Sequence, residues 1–171
     1  MAAKRLELVP YDPAWPVLFD KEAARLRTAI GAHAMRIEHV GSTSVPNLLA
    51  KPIIDIAVAV ASESAADACI QPLTSLGYEY RGMHGDDPDR RYYVLDREGR
   101  RLIHIHLYIL PAPAWDEMLR FRDALRRAPN LLAAYAAEKE RLAAAVAWNK
   151  AAYSEAKGPF IRSVLDGIDA T

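Results

Sequence analysis

Cysteine is almost missing from this chain: Cys69 is the only one in 171 residues. That excludes a disulfide framework and argues against a cysteine metal site. Between Ala68 and Ile70, Cys69 is expected as a small buried side chain. Net charge is missing as well, because 22 basic residues balance 22 acidic ones. A chain without charge bias has no global attraction to nucleic acid or to an anionic membrane. No apolar run approaches the roughly 20 residues that cross a bilayer. The opening residues, MAAKRLELVPYD, hold no apolar stretch of signal-peptide length. The expected setting is cytoplasmic, with no membrane partner and no strong nucleic-acid signal. Internal repeats and linker-like stretches are also lacking, so residues 1–171 are read as one domain with a proper core.

What is present reads as strands and helices in the first two thirds, then helices alone. Asp12-Pro13 marks a helix start, and an apolar stripe from Trp15 to Ile30 continues it to a Gly31 cap. Met35–Val40 is a predicted strand, followed by a Gly41-Ser42 turn and a short helix over Thr43–Leu49. Pro52–Val60 is nearly all apolar, as expected of a strand covered on both faces. A helix starts at Ser62 or Ser64 and runs to about Leu76, broken or distorted by Pro72. Tyr78–Tyr80 begins a strand, and Met83–Asp89 is a polar loop. Arg91–Leu95 and Leu102–Leu110 pair across an Asp96–Gly99 turn. Helices are predicted over Ala114–Arg127, over Asn130–Trp148 with Asn130 as cap, and over Tyr153–Ile168 with a disturbance at Gly158-Pro159. The fold class is α+β: a mixed sheet with packed helices and a helical C-terminal third.

The chemistry concentrates in RIEHVGSTSVPNLLAKPIIDIAVAV, Arg36 to Val60. Glycine after a strand lets the backbone approach a phosphate, and the following amides and hydroxyls of Ser42, Thr43 and Ser44 can bind its oxygens. Alone, such a string is an ordinary turn. Its value comes from Asp55 on the next strand, an acidic residue among apolar neighbours. Asp55 either pairs with an arginine, caps a neighbouring loop, or ligates a divalent cation such as Mg²⁺. Period two puts Ala57 on its face, where a second carboxylate would stand in a two-metal phosphoryl-transfer site.

His104 and His106 share one face of the Leu102–Leu107 strand, with Ile103, Ile105 and Leu107 on the other. They are either satisfied structural residues, or ligands for Zn²⁺, Mn²⁺ or Fe²⁺, or general bases near neutral pH. Lys51, Arg90, Arg91 and Lys157 are candidate anion binders. His39 is expected to project toward the same pocket and Glu38 away from it. The Ala-rich helix 130–148 is read as a packing element.

The chain resembles the GrpB-like family, small bacterial proteins of the nucleotidyltransferase superfamily. The resemblance runs nearly end to end: VPYDPAWP at Val9–Pro16, RIEHVGSTSVPNLLAKPIIDI at Arg36–Ile56, RRYYV at Arg90–Val94, HIHL at His104–Leu107, FRDALR at Phe121–Arg126 and YSEAKGPFI at Tyr153–Ile161. It implies a nucleotidyltransferase-like fold with a pocket at Gly41, Ser42 and Asp55. It also implies an NTP and a divalent metal acting on a small-molecule substrate. Two departures stand out. Asn47 replaces a usual glycine, a mild change because asparagine tolerates a left-handed backbone. Ala57 lacks the expected carboxylate, and the histidine strand takes the place of the third. Three readings follow: nucleotidyl transfer, a different chemistry at Asp55, His104 and His106, or a non-catalytic ligand-binding or folding-assistant module.

Overall fold

The computed structural model describes residues 6–83 and 90–169. Most of the polar loop expected at Met83–Asp89 lies outside the described residues. Helix α1, Ala14–Ile30, begins where the Asp12 side chain accepts from the Ala14 amide at 2.8 Å. Strand β1, Ala34–Val40, leads into a single 3₁₀ turn at Ser42–Ser44. Strand β2, Ile54–Val60, is followed by α2, Glu63–Ala68, and α3, Ile70–Ser75. Ser62 caps α2 by accepting from the Ala65 amide at 3.2 Å. The helix expected to be broken or distorted by Pro72 is two helices. Pro72 has no amide to offer the preceding turn and its ring crowds that turn's carbonyl, so the chain breaks ahead of it at Cys69.

Strand β3, Glu79–Met83, precedes the hairpin of β4, Arg90–Arg97, and β5, Arg100–Ile109. Glu98 and Gly99 both have positive φ, 52° and 74°, which suits a tight turn between twisted strands. Helices α4, Pro113–Arg127, α5, Pro129–Ala145, α6, Lys150–Ala156, and α7, Gly158–Asp169, complete the chain. Asn130 does not cap α5: Pro129 takes the first helical position and Asn130 falls inside the first turn. Left-handed Ala147 and Trp148 end α5, and Asn149 caps α6 through the Ala151 and Ala152 amides.

The sheet order is β1-β2-β5-β4-β3, parallel between β2 and β5 and antiparallel elsewhere. One face packs on α1, α2 and α3 through Ile54, Ile56, Val58, Tyr93, Ile103, Ile105 and Leu107. Cys69 is buried there, as expected. On the other face, Val40, Ala57, Ala59 and Tyr108 meet Ala112 and Trp115 at the start of α4. Helices α4, α5 and α7 close over the loop after β1, where Val45 and Leu48 pack with Leu125 and Tyr135. Asp55, His104, His106 and Tyr92 border a cavity on this second face. No helix among the described residues is long and apolar enough to cross a membrane.

Candidate active site

Parallel pairing of β2 with β5 sets Asp55 beside His104 and Ala57 beside His106. Asp55 Oδ1 lies 2.9 Å from His104 Nδ1 and 3.5 Å from His106 Nε2. One ligand atom from each of the three residues falls within 4.8 Å of the others. Burial works to raise the Asp55 carboxyl, but the two imidazole hydrogen bonds outweigh it and hold it far below the usual carboxylate range. Tyr92, on β4 opposite His106, lies against both imidazoles with ring centroids 5.4 and 5.3 Å away. Burial and then the Asp55 charge push its phenol up to about 12, so Tyr92 stays neutral at ordinary pH.

Gly41 fixes the geometry from above. Its φ is +69°, and a Cβ there would meet Asp55 Oδ2 at 2.5 Å. Only glycine allows both the backbone conformation and the approach to the carboxylate. The 3₁₀ turn that follows is held from behind. Arg126 donates twice to the Ser44 carbonyl, at 3.0 and 2.7 Å, and Arg122 donates to the His39 carbonyl and to Glu38 Oε2, both at 2.9 Å. Asn47 is left-handed, φ 65°, a conformation asparagine tolerates.

These residues open on a cavity of about 670 Å³ lined by Gly41, Ser42, Lys51, Asp55, Arg90, Tyr92, His104, His106 and Lys157, with an apolar wall from α4 and α7 that includes Met118, Phe121, Leu125, Ile161 and Leu165. Most of the sequence-predicted site residues therefore surround one space. Three others lie elsewhere. Arg91 points to the opposite face, because β4 alternates, and it pairs with Asp67 of α2. Ser44 turns inward and donates to the Gly41 carbonyl at 2.6 Å. Thr43 is buried against His39 Nε2 at 3.0 Å and reaches only a smaller adjoining pocket.

The parity of β1 is the reverse of the one expected. His39 faces α1, stacked on Phe19 at 4.7 Å, and burial, with Arg126 next, pushes its pKa down to about 4. Glu38 faces α4 instead. It stands level with Ala57 in the β1–β2 register, but it is committed to Arg36 and Arg122. Ala57 itself is fully buried under α4. Packing against α4 fills this position, and Glu38, its neighbour across the β1–β2 pairing, is held by two arginines.

Sequence reasoning missed Lys139. It sits on α5, only 2% exposed, and donates to Ser42 Oγ at 2.8 Å and to the Leu49 carbonyl. Burial first, then the charges of Lys157 and Lys51, push its pKa down to about 7. A signal existed: Tyr135, Lys139 and Leu142 follow the 4-and-3 spacing of a buried helical stripe, where a lysine is out of place.

The GrpB protein family model matches residues 5–167. A UPF0157 protein of Halalkalibacterium halodurans is 36% identical over 166 residues, which span 97% of this chain and 84% of that one. The crystal structure of the conserved protein GrpB from Enterococcus faecalis superposes with a TM-score of 0.82 at 34% identity, covering 92% of this chain and 94% of that chain. The Cid1 poly(U) polymerase, at 14% identity and a TM-score of 0.49, covers 71% of this chain and 40% of its own; a likeness that weak carries no argument about chemistry. On the family match and the extent of these alignments, the chain belongs to the GrpB family.

Proposed function

We propose that this chain is an enzyme of metal-assisted nucleotidyl or phosphoryl transfer acting on a small anionic substrate. The observation that carries the reading is the convergence of Asp55, His104 and His106 on one wall of a cavity that also presents Lys51, Arg90 and Lys157. The two donor separations from Asp55 suit a single ion. Donors bonded to one metal at about 2.1 Å, at angles between octahedral and tetrahedral, lie about 3.0–3.4 Å apart, close to the 2.9 and 3.5 Å measured from Asp55. One carboxylate with two imidazoles favours Mn²⁺, Zn²⁺ or Fe²⁺ over Mg²⁺, which prefers oxygen throughout. A metal so held would polarise a phosphoryl oxygen and make a bound hydroxyl more acidic.

The chain's own residues do the rest. Gly41 and Ser42 bring backbone amides to the substrate's oxygens. Lys51, Arg90 and Lys157 neutralise its charge. Phe121, Leu125 and Ile161 give its organic part an apolar wall and limit water. The test is calorimetry and turnover on chelator-treated protein with Mn²⁺ or Mg²⁺ restored. Nucleotide or phosphate-ester binding, with metal-dependent release of pyrophosphate or phosphate that Asp55→Asn abolishes, is the expected result. No binding of any NTP or phosphate ester at millimolar concentration would sink the proposal.

One contact favours a second reading, acid–base chemistry without a metal. Arg101 Nη1 lies 3.4 Å from His104 Nε2. A guanidinium only donates, so Nε2 accepts and the ring proton sits on Nδ1, aimed at Asp55. This is a carboxylate–imidazole pair, and a metal at Nδ1 would require Arg101 to move away. Activity that survives exhaustive chelation would select this reading.

A further inference from the structure

Beside the large cavity lies a second pocket of about 50 Å³, which shares Ser42, Lys51, Asp55 and Lys157 with it and adds Lys139 and Tyr153. Three lysines face one carboxylate there. Lys139 is buried, and among the described residues no carboxylate pairs with it: its hydrogen bonds go to the Ser42 hydroxyl and the Leu49 carbonyl. Burying an ammonium against neutral oxygens is unfavourable, and two more cations close by make it worse. The depression of Lys139 to about 7 expresses that cost.

A second observation is independent of charge. Tyr153 is 1% exposed, and its hydroxyl is buried with no hydrogen-bond partner among the described residues. The Lys51 and Lys157 ammoniums sit 4.9 and 5.1 Å from the centre of its ring. Buried hydroxyls are nearly always bonded. Three lysines around one carboxylate, beside a tyrosine whose hydroxyl lacks a partner among the described residues, suit an oxyanion.

Size narrows the ligand. About 50 Å³ of space beside the large cavity suits a single phosphoryl group at this end. We propose that this pocket binds the single phosphoryl group of an organic phosphate monoester, with the ester's organic body in the large cavity. The placement of the organic body rests on the function proposed above. The anion pocket stands on its own residues.

Inorganic phosphate and a small aryl phosphate are titrated calorimetrically into the chelator-treated full chain, the Lys139→Met and Tyr153→Phe variants, and the wild type reloaded with Mn²⁺. The wild type binds both without metal, and the aryl ester binds more tightly. Lys139→Met weakens both by about 10- to 100-fold, the loss of one charge-assisted hydrogen bond, and Tyr153→Phe by about 5-fold or more. Circular dichroism establishes that each variant is folded, and Lys139→Met removes a buried charge, so its fold is expected to persist. Undetectable phosphate binding at millimolar concentration, or affinity unchanged in both variants, overturns the pocket. Equal affinity for phosphate and the aryl ester overturns the monoester assignment. Mn²⁺ binding without phosphate binding sinks this inference alone. Phosphate binding without metal binding sinks the metal reading alone.

Discussion

Replacing Gly41 by alanine tests how the turn and the carboxylate are locked together. Two penalties combine. The backbone there, φ 69° and ψ −175°, is nearly closed to residues with a Cβ, and forcing one into it costs about 1–3 kcal/mol. The new Cβ would sit 2.5 Å from Asp55 Oδ2 and 3.0 Å from Asp55 Cβ, so the carboxylate must retreat. That retreat strains or breaks the 2.9 Å contact with His104. The Asp55 side chain is 27% exposed, so the contact is screened, and about 1–2 kcal/mol is a fair share for it. The sum is about 2–5 kcal/mol, or a fall in Tm of about 5–15 °C for a chain of this length. Thermal and urea unfolding followed by circular dichroism measure it. Gly99→Ala is the control: its φ is +74°, but a Cβ there meets nothing within 4 Å, so it carries only the backbone penalty. Equal destabilisation by the two substitutions would refute the proposed contact between turn and carboxylate.

Three other outcomes follow from the same geometry. His39 titrates at about 4 in the folded protein against 6.5 when free, so between those pH values the unfolded chain binds the extra proton; stability therefore falls as pH drops from 6.5 to 4, by up to about 1.4 kcal/mol per unit, and His39→Gln should flatten that part of a urea-midpoint profile. Lys139 is depressed to about 7 from 10.5, so the unfolded chain again holds the extra proton above pH 7; stability rises from pH 7 to 9, by at most about 1.4 kcal/mol per unit, and Lys139→Met removes the rise. Arg90 lines the cavity while Arg91 pairs with Asp67 on the other face; Arg90→Ala should weaken phosphate-ester binding by about 10-fold or more, whereas Arg91→Ala should cost stability and leave that affinity within about 2-fold.

Much of this architecture was legible because local signals were strong. The apolar run of β2, the turn residues of the β4–β5 hairpin and the proline that splits α2 from α3 act over a few residues. Asp55, His104 and His106 were legible as candidates, and period two placed the histidines on one face. Their meeting was not legible, because it depends on parallel pairing of β2 with β5, strands separated by about forty residues. The reversed faces of Glu38 and His39 show the same limit. Strand parity is decided by which face finds a partner: Phe19 of α1 takes His39, and Arg122 of α4 takes Glu38. Lys139 was hidden by composition, since an Ala-rich helix reads as filler until its buried stripe is matched to Ser42. Arg91 was misplaced by grouping it with Arg90, although adjacent strand residues always face opposite ways.

We propose that Asp55, His104 and His106 hold one divalent ion. Titration of chelator-treated protein with Mn²⁺ and Zn²⁺ by calorimetry, with elemental analysis of the product, tests it directly. One ion per chain is expected, with affinity about 10- to 100-fold weaker in Asp55→Ala and in a His104→Ala, His106→Ala double variant. Failure of the wild type to bind either ion at millimolar concentration, or binding left unchanged by Asp55→Ala, would contradict a shared ion at these three residues.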